Sequence, residues 1–386
     1  MLLLPIVTNA DDSGSCGESL TYTFVEATKT LTISGSGAMN DYSSYSGKYD
    51  SPWWTGNYYK SIQTVVIENG VTSIGKSAFS GCLNLTSVTI PSSVTDIGSS
   101  AFSKTGLTSI NIPFSVTRIR EDTFIYCYNL SSVAIPNSVK SIGSGAFRHC
   151  SNLTSINIPI GVTSIEGRTF DGCTSLTSVT IPNNVTTIYD DAFNNCPSLT
   201  SVIIGKSVNS FKSSVFVGCN NLTDFYCLAE QVPNIDSGSY SSNTFYKFNR
   251  ENATLHVPAG SIDAYKNDNN WNKFKEIVAL VLPKCAKPTI SLKSGKIIFE
   301  CETEGVEFMP QFTPLNESSY SNGEIMLPNK YRITVYATKE GYEYSDVATL
   351  DVEIPVGTKG DVNQDGEVNV ADHVKLSDII MSNETK

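Results

Sequence analysis

Residues 153–175 read LTSINIPIGVTSIEGRTFDGCTS and run without a break into 176–198, LTSVTIPNNVTTIYDDAFNNCPS. Each segment is 23 residues long, and Leu, Ile or Val, Ile, Pro, Val, Ile, Phe and Cys fall at the same offsets in both. The pattern extends outward in both directions. Units begin at Ile62, Leu85, Leu107, Leu130, Leu153, Leu176, Leu199 and Leu222, with the consensus LTSVTIPxxVTxIxxxAFxxCxx. The Leu85 unit is one residue short, and the Leu222 unit is a degraded half. A fixed period of this size predicts a solenoid of stacked coils.

One coil shows how the pattern works. TSVTI alternates, which sends Val88 and Ile90 inward from a short strand. Pro91, Pro113, Pro136, Pro159 and Pro182 end that strand, because proline lacks a ladder donor. VTSI supplies a second extended piece, and AFSGC a tight turn or a 3₁₀ piece. Leu85, Val88, Ile90, Val94, Ile97, Ala101 and Phe102 are the predicted inward set. A single coil cannot bury enough surface to fold alone, so stability comes from stacking on its neighbours. With strands about 4.8 Å apart, seven to eight coils make a rod roughly 35–40 Å long.

The cysteines follow the same period. Cys127, Cys150, Cys173, Cys196 and Cys219 recur every 23 residues, Cys82 precedes them, and Thr105 stands near the missing position. No CxxC is present, which argues against a zinc ribbon. Stacked side chains with parallel Cβ vectors hold their sulfurs too far apart to bridge. The column therefore reads as buried free thiols acting as small apolar groups. Cys285 and Cys301 stand outside the column, and for them a disulfide and two free thiols are both open.

The chain has 386 residues, 17% of them charged, and a net charge of -11. That length predicts two or three domains. The acidic balance, with no basic face, argues against nucleic acid and against docking on anionic lipid. No apolar run is long enough for a transmembrane helix. Residues 1–12, MLLLPIVTNADD, read as the remnant of a secretory signal, with a vector-like start as the alternative.

Residues 13–61 precede the array. Leu20, Tyr22 and Phe24 alternate, as do Leu31 and Ile33 after the turn Glu26-Ala27-Thr28-Lys29, predicting a β-hairpin. An aromatic cluster follows: Tyr42, Tyr45, Tyr49, Trp53, Trp54, Tyr58 and Tyr59. A lid over the first coil is the favoured reading. A sugar-stacking platform is the alternative and makes Trp53 and Trp54 candidate contacts. Residues 62–227 are the repeats and 228–282 close them. There Ala253 to Val257 reads as a strand, and Ser261 as the N-cap of a short helix carrying Ile262, Tyr265, Trp271 and Phe274. Glu276 to Leu282 reads as a last strand, and 229–252 as an irregular excursion.

LTSVTIPxxVTxIxxxAFxxC resembles the leucine-rich repeat of BspA-like bacterial surface proteins. The leader CGESLTYTFVEATKTLTISGSGAMNDY (16–42) and the segment ATLHVPAGSIDAYKNDNNWNKF (253–274) resemble the caps found with those repeats. The resemblance covers roughly residues 14–282. It implies a curved β-rich solenoid, usually exported and associated with adhesion or binding of host proteins. It implies no catalytic residues.

Residues 283–356 change character. Thr289 to Lys293, Lys296 to Glu302, Val306 to Phe312, Tyr331 to Ala337 and Ala348 to Ile354 read as strands, with Ser294-Gly295 as a hairpin turn. The spacing predicts an immunoglobulin-like sandwich, and ITVYATKEGYEYSD resembles Ig-like spacer modules of secreted bacterial proteins.

Residues 357–386 carry the one motif with metal chemistry. In DVNQDGEVNVAD (361–372), Asp361, Asn363 and Asp365 offer oxygens at loop positions 1, 3 and 5, and Gly366 allows the sharp turn. Glu367 offers its carbonyl, Asn369 follows, and Asp372 closes the loop where an EF-hand usually has the longer Glu. Hard oxygen ligands at this spacing suit calcium. A helix from Val370 to Met381 is predicted to follow, with Val374, Leu376, Ile379 and Ile380 as its apolar positions. The segment resembles one half of a dockerin, a module that normally carries two such units and binds cohesin.

Catalysis has little support. His149, His256 and His373 lie on three separate segments, and no nucleophile elbow, HExxH or phosphate loop is present. The expected function is binding of an extracellular protein or glycan by a monomeric secreted or surface protein. The strand face is a nearly uniform array such as Thr154, Ser155 and Asn157, so specificity is sought where coils differ. Those places are Arg120-Glu121-Asp122, Glu166-Gly167-Arg168 and Tyr189-Asp190-Asp191, together with Phe114, Ile125, Tyr126 and Ile160, which are apolar where neighbours are polar. Surface drift is the competing reading of the same residues. The alternative function is a non-catalytic component of a dockerin/cohesin-type polysaccharide-degrading assembly.

Overall fold

Hydrogen bonds between residues one period apart dominate the structure. Thr95 N–H donates to the Thr72 carbonyl at 2.9 Å, Lys140 to Thr117 at 2.8 Å and Thr186 to Thr163 at 3.0 Å. The computed structural model describes residues 12–353, apart from 46–47, 237–243, 246–247, 249, 282–283, 294–295, 304–305, 315–318, 322–323, 327–329 and 339–343. The signal-like start, the Ser294-Gly295 turn and the 361–372 loop with its helix lie outside the described residues. The chain divides into two units, Met1–Leu280 and Val281–Lys386.

The first unit is a β-solenoid of about nine turns. Two columns of parallel strands run along it. One contains Thr64–Ile67, Ser87–Thr89, Ser109–Asn111, Ser132–Ala134, Ser178–Ile181, Ser201–Ile204 and Asp224–Cys227. The other contains Val71–Ile74, Asp96–Ile97, Arg118–Ile119, Ser141–Ile142, Ser164–Ile165, Thr187–Ile188, Ser210–Phe211 and Asn234–Ile235. Register advances one period per step, as in Val179↔Val202↔Phe225↔Leu255. Seven to eight coils were expected; Thr254–Val257 of the closing segment joins the first column and adds a turn, and Glu276–Ala279 pairs beyond it. At the other end the hairpin Leu20–Val25/Thr30–Gly35 joins through Thr30↔Thr64 to Ile33↔Ile67.

Between the columns each proline accepts a hydrogen bond from the valine three residues on. Val94 donates to Pro91, Val116 to Pro113, Val139 to Pro136, Val162 to Pro159 and Val185 to Pro182, at 3.0–3.1 Å. The proline thus both ends the strand and opens the turn into the second column. Burial follows the predicted inward set: Leu85, Val94, Ile97, Ala101 and Phe102 are inaccessible, with Val88 and Ile90 half-buried against them.

The third corner of the coil departs from ordinary β geometry. Seven positions one coil apart take left-handed backbone: Ser77, Ser100, Asp122, Gly145, Arg168, Asp191 and Ser214. Four residues further on, Gly81, Lys104, Tyr126, His149, Gly172, Asn195 and Gly218 do the same. The segment between each pair donates N–H groups forward to the next coil. Phe102 donates to Thr123, Phe124 to Ala146, Phe147 to Thr169 and Phe170 to Ala192, at 2.9–3.0 Å. The phenylalanines of these turns stack along the core. Phe79, Phe102, Phe124, Phe147, Phe170, Phe193 and Phe216 have successive centroids 5.2–5.7 Å apart and interplanar angles of 3–19°.

The cysteines are free thiols and fully buried in the column. They are not inert packing groups alone: Cys127, Cys150, Cys173, Cys196 and Cys219 each donate an S–H to the phenylalanine carbonyl of the preceding coil. Cys127 reaches Phe102 at 3.0 Å, Cys150 reaches Phe124 at 3.3 Å and Cys219 reaches Phe193 at 3.1 Å. Burial pushes the Cys127 thiol up to about 11.

The closing segment carries the helix Ile262–Asn267 with Tyr265 buried. Ser261 does not cap it, because its hydroxyl donates to the Glu230 carbonyl at 2.7 Å. Trp271 is fully buried and donates to the Pro233 carbonyl at 3.0 Å.

The described residues of the second unit form three antiparallel sheets, one of them the short hairpin Ser319–Ser321/Glu324–Met326. Thr289–Lys293 pairs with Lys296–Glu300, and Glu307–Pro314 pairs with Lys330–Thr338 and then Ala348–Glu353. Phe299, Ile333, Val335 and Ala348 form a core drawn from these other two sheets, against Ile290, Phe308 and Val352. Cys285 and Cys301 are not joined by a disulfide in this structure; Cys301 donates to the Ala286 carbonyl at 3.1 Å.

Candidate binding surface

The residues singled out in the sequence do not converge. Trp53 is fully buried. It lies face to face on Phe79 at 5.3 Å and 13°, and its indole donates to the Ala78 carbonyl at 2.8 Å. It extends the phenylalanine stack by one ring and closes it, so it offers no contact to a ligand. Trp54 is half-buried, with its own ring stacked on Tyr59 at 3.7 Å. Ile125 is buried under the corner turn at 9% exposure, which removes it as a contact.

Phe114 and Ile160 are half-buried and follow Pro113 and Pro159, two coils apart with Asn137 between them. Tyr126 sits at a different corner, after the phenylalanine turn. There it stacks on His149 at 5.0 Å and 13°, and the Lys104 ammonium lies 5.7 Å above its ring. Gly172 leaves room for the His149 ring, since a Cβ there would come within 2.2 Å of Nδ1. The charged columns are largely paired within the coil stack: Asp96 with Arg118 and Arg120, Arg148 with Asp171, and Arg168 with Asp191. The two arginines beside Asp96 hold its carboxyl below the usual range, against the opposing effect of burial.

The uniform strand face is also used internally. Thr177 Oγ1 donates to the Thr154 carbonyl, Thr200 Oγ1 to Thr177 and Thr223 Oγ1 to Thr200, at 3.2–3.4 Å. These hydroxyls tie coil to coil, which explains exposed threonine at a position facing water.

The face changes over the last coils. Alternation places one outward row at Ser201, Asp224, Thr254 and Glu276, and the next at Ile203, which is buried, followed by the half-buried Tyr226, His256 and Val278. The matching row in earlier coils is Thr89, Asn111, Ala134, Asn157 and Thr180. Tyr226 and His256 stack at 4.2 Å and 17°. His256 Nε2 lies 3.4 Å from Asp224 Oδ1, and Asp224 Oδ2 accepts the Thr223 hydroxyl at 2.9 Å. Burial, with the Asp224 charge behind it, raises the Tyr226 hydroxyl above its usual range. Among the described residues the partners of the His256 ring are Asp224 and Tyr226. The described residues also hold no cluster of His, Cys, Asp or Glu fit for a metal.

The last coils thus bring an aromatic pair, a half-buried valine and a carboxylate together on one sheet. The sequence signal for it is the loss of Ser and Thr at alternate positions in DFYC and TLHV, easily read as decay of the repeat.

The BspA type leucine rich repeat region matches residues 57–170 and 140–267 in six copies. Solved structures similar to the chain include a leucine-rich repeat protein from Eubacterium ventriosum, 23% identical over 74% of this chain and 89% of that one, with a TM-score of 0.39. A leucine-rich repeat protein from Bacteroides ovatus is 22% identical over 68% and 76%, with a TM-score of 0.45. A leucine rich cell surface protein from Faecalibacterium prausnitzii is 21% identical over 71% and 96%, with a TM-score of 0.27. No curated protein sequence matches the chain. The repeat profile spans more than half of the 386 residues, over the same coils whose ladders are described above, and the chain belongs to the BspA-type leucine-rich repeat family.

Proposed function

We propose that this is a non-catalytic, secreted or bacterial-surface binding protein that adheres to an extracellular protein through the terminal coils of its solenoid. The observation that carries the reading is the change of the accessible strand face from Ser/Thr/Asn to Tyr226, His256 and Val278 beside Asp224. Aromatic residues held on a rigid sheet supply large contact area at little entropic cost, and such anchors carry most of the energy of an interface. The acidic composition fits an exported protein and gives no purchase to nucleic acid. The second unit serves as an immunoglobulin-like spacer, a reading supported by two antiparallel sheets that share one core.

The test is binding of the full-length chain to immobilised extracellular-matrix proteins and to a glycan array, with Tyr226→Ser/His256→Ser compared in parallel. A matrix protein bound by the wild type and lost at least about tenfold in the double variant is the expected result. Equal binding by the two proteins refutes the assignment of the face.

The loop Asp361, Asn363, Asp365, Glu367, Asn369 and Asp372 motivates a second reading, in which a half-dockerin tail takes calcium and docks on cohesin. Calorimetric titration of the chain with calcium, followed by pull-down on a cohesin module, tests it. No heat with calcium and no capture would dispose of it.

A further inference from the structure

The coil beginning at Leu85 is one residue short, and the deletion falls at a single place on the surface. After the cysteine position the coil before it has Leu83-Asn84, and the coil after it has Tyr128-Asn129. The short coil has Gly106 alone, following Thr105. Gly106 cannot be replaced by a larger residue on this path, because a Cβ would sit 2.4 Å from the Leu83 carbonyl. The surface row therefore runs Lys60, Leu83, Gly106, Tyr128, Ser151, with a side chain missing at its centre; Asn84 Nδ2 donating to the Lys60 carbonyl at 2.7 Å and Ser151 Oγ to the Tyr128 carbonyl at 3.3 Å confirm the stacking order.

The two flanking residues are the most exposed large apolar side chains described in the solenoid, Leu83 at 60% and Tyr128 at 55%. Each lacks the lateral neighbour that every other coil supplies. Successive coils are about 5 Å apart, so Leu83 and Tyr128 stand roughly 10 Å apart, with one side-chain layer absent between them. Gly106 is itself buried, so the floor of this gap is backbone below the level of its walls.

Two lysines border the gap. Lys60 precedes Leu83 in the row and Lys104 stands next to Thr105. Their ammonium groups lie over the rings of Tyr59 and Tyr126, at 5.5 and 5.7 Å. Among the described residues neither has a carboxylate within ion-pair distance, in a chain where most surface arginines do. An apolar slot one side chain wide, edged by two unneutralised cations, is complementary to an apolar residue flanked by carboxylates.

We propose that Leu83, Gly106 and Tyr128 form a seat for one leucine or phenylalanine side chain of an extended acidic peptide segment, with Lys60 and Lys104 pairing its flanking carboxylates. The aliphatic wall at Leu83 favours a peptide side chain over a sugar ring, which gains most between aromatic faces. The seat lies on a different corner from Tyr226 and His256 and does not depend on the function assigned to them.

The experiment uses the full-length chain and synthetic acidic peptides with a central Phe or Leu, read by fluorescence anisotropy. Controls are the Ser-centred acidic peptide and the Phe-centred lysine-flanked peptide. Three variants are compared with the wild type: Tyr128→Ser, Lys104→Glu, and a repaired coil in which Gly106 is replaced by Leu-Asn to restore the 23-residue period. The expected result is binding of the Phe and Leu acidic peptides, weaker by at least about tenfold for the Ser-centred peptide and for either point variant. In the repaired coil binding is lost while the melting temperature is kept or raised, which separates loss of the seat from loss of fold. Equal binding by the repaired coil, no preference for Phe or Leu over Ser, no peptide bound at all, or capture of glycans but not peptides would each overturn the proposal.

Discussion

Replacing Phe147 by alanine is the sharpest test of what holds the solenoid together. Phe147 is inaccessible to solvent and lies between Phe124 at 5.4 Å and Phe170 at 5.7 Å. Its N–H donates to Thr169 at 2.9 Å, and its carbonyl accepts the Cys173 thiol at 3.3 Å. The backbone bonds survive the substitution; the ring and both stacking contacts do not. A buried Phe→Ala change costs about 3–5 kcal/mol, and the two ring pairs place this site toward the upper end, at about 0.5–1.5 kcal/mol each beyond burial. Phe147→Leu keeps most of the apolar volume and loses only the ring pairing, for an expected cost of about 1–3 kcal/mol. Because each coil contacts only its neighbours, the damage is local and splits the array at its middle. Urea unfolding followed by tryptophan fluorescence reads both halves, since Trp53 is buried at one end and Trp271 at the other. Phe147→Ala should give two transitions where the wild type gives one. A cost below about 1 kcal/mol, or a single transition merely shifted, refutes the view that stacked phenylalanines couple the coils.

Other outcomes follow from the same structure. Ser100→Gly and Ser214→Gly, at left-handed positions with φ of 57° and 61°, should each stabilise by about 0.5–1 kcal/mol, whereas Gly172→Ala should destabilise, because φ is +75° and the new Cβ meets the His149 ring; thermal melts decide. Thr177→Val removes a hydroxyl that donates to Thr154 and should cost about 0.5–1.5 kcal/mol by urea titration, although its site faces water. Burial raises the Cys127 and Cys227 thiols from 9.0 to about 11, so they favour the folded state while protonated. Their contribution should be complete below pH 9 and lost as pH rises toward 11, a fall that a melting-temperature profile over that window will show and that a flat profile would contradict. Reductant should leave the melt of the chain unchanged, since no disulfide joins any of the ten cysteines in this structure.

Legibility in the sequence tracked the burial requirement. Leu, Val, Ile, Phe and Cys columns were readable because a coil interior tolerates little else, and the register Val179↔Val202↔Phe225 is the period of the sequence made visible. The lid reading of the aromatic cluster was readable for the same reason, and Trp53 on Phe79 is its physical content. The left-handed corner was not. Its first column is Ser77, Ser100, Asp122, Gly145, Arg168, Asp191 and Ser214, a set with little shared propensity, held in place by hydrogen bonds to the next coil. There the ladder overrides residue preference, and a single sequence gives no pattern to read. Phe114, Tyr126 and Ile160 were equally deceptive. Each departs from the consensus, but a solenoid turns three corners per coil, and similar departures at different offsets point in different directions.

A departure from the repeat carries functional meaning only when its neighbours in the stack fail to absorb it. Arg168 is absorbed by Asp191 and His149 by Tyr126 and Gly172. The threonine face is absorbed by the carbonyls of the preceding coil. What remains unabsorbed is small: the gap over Gly106 between Leu83 and Tyr128, and the row Tyr226, His256 and Val278 where the hydroxyls stop. Both arise where the 23-residue period is broken, one by a deletion and one by the passage into the closing segment. Regular coils therefore set the spacing between two irregular surfaces, and the rigidity of the phenylalanine and cysteine columns fixes how a partner could meet either of them.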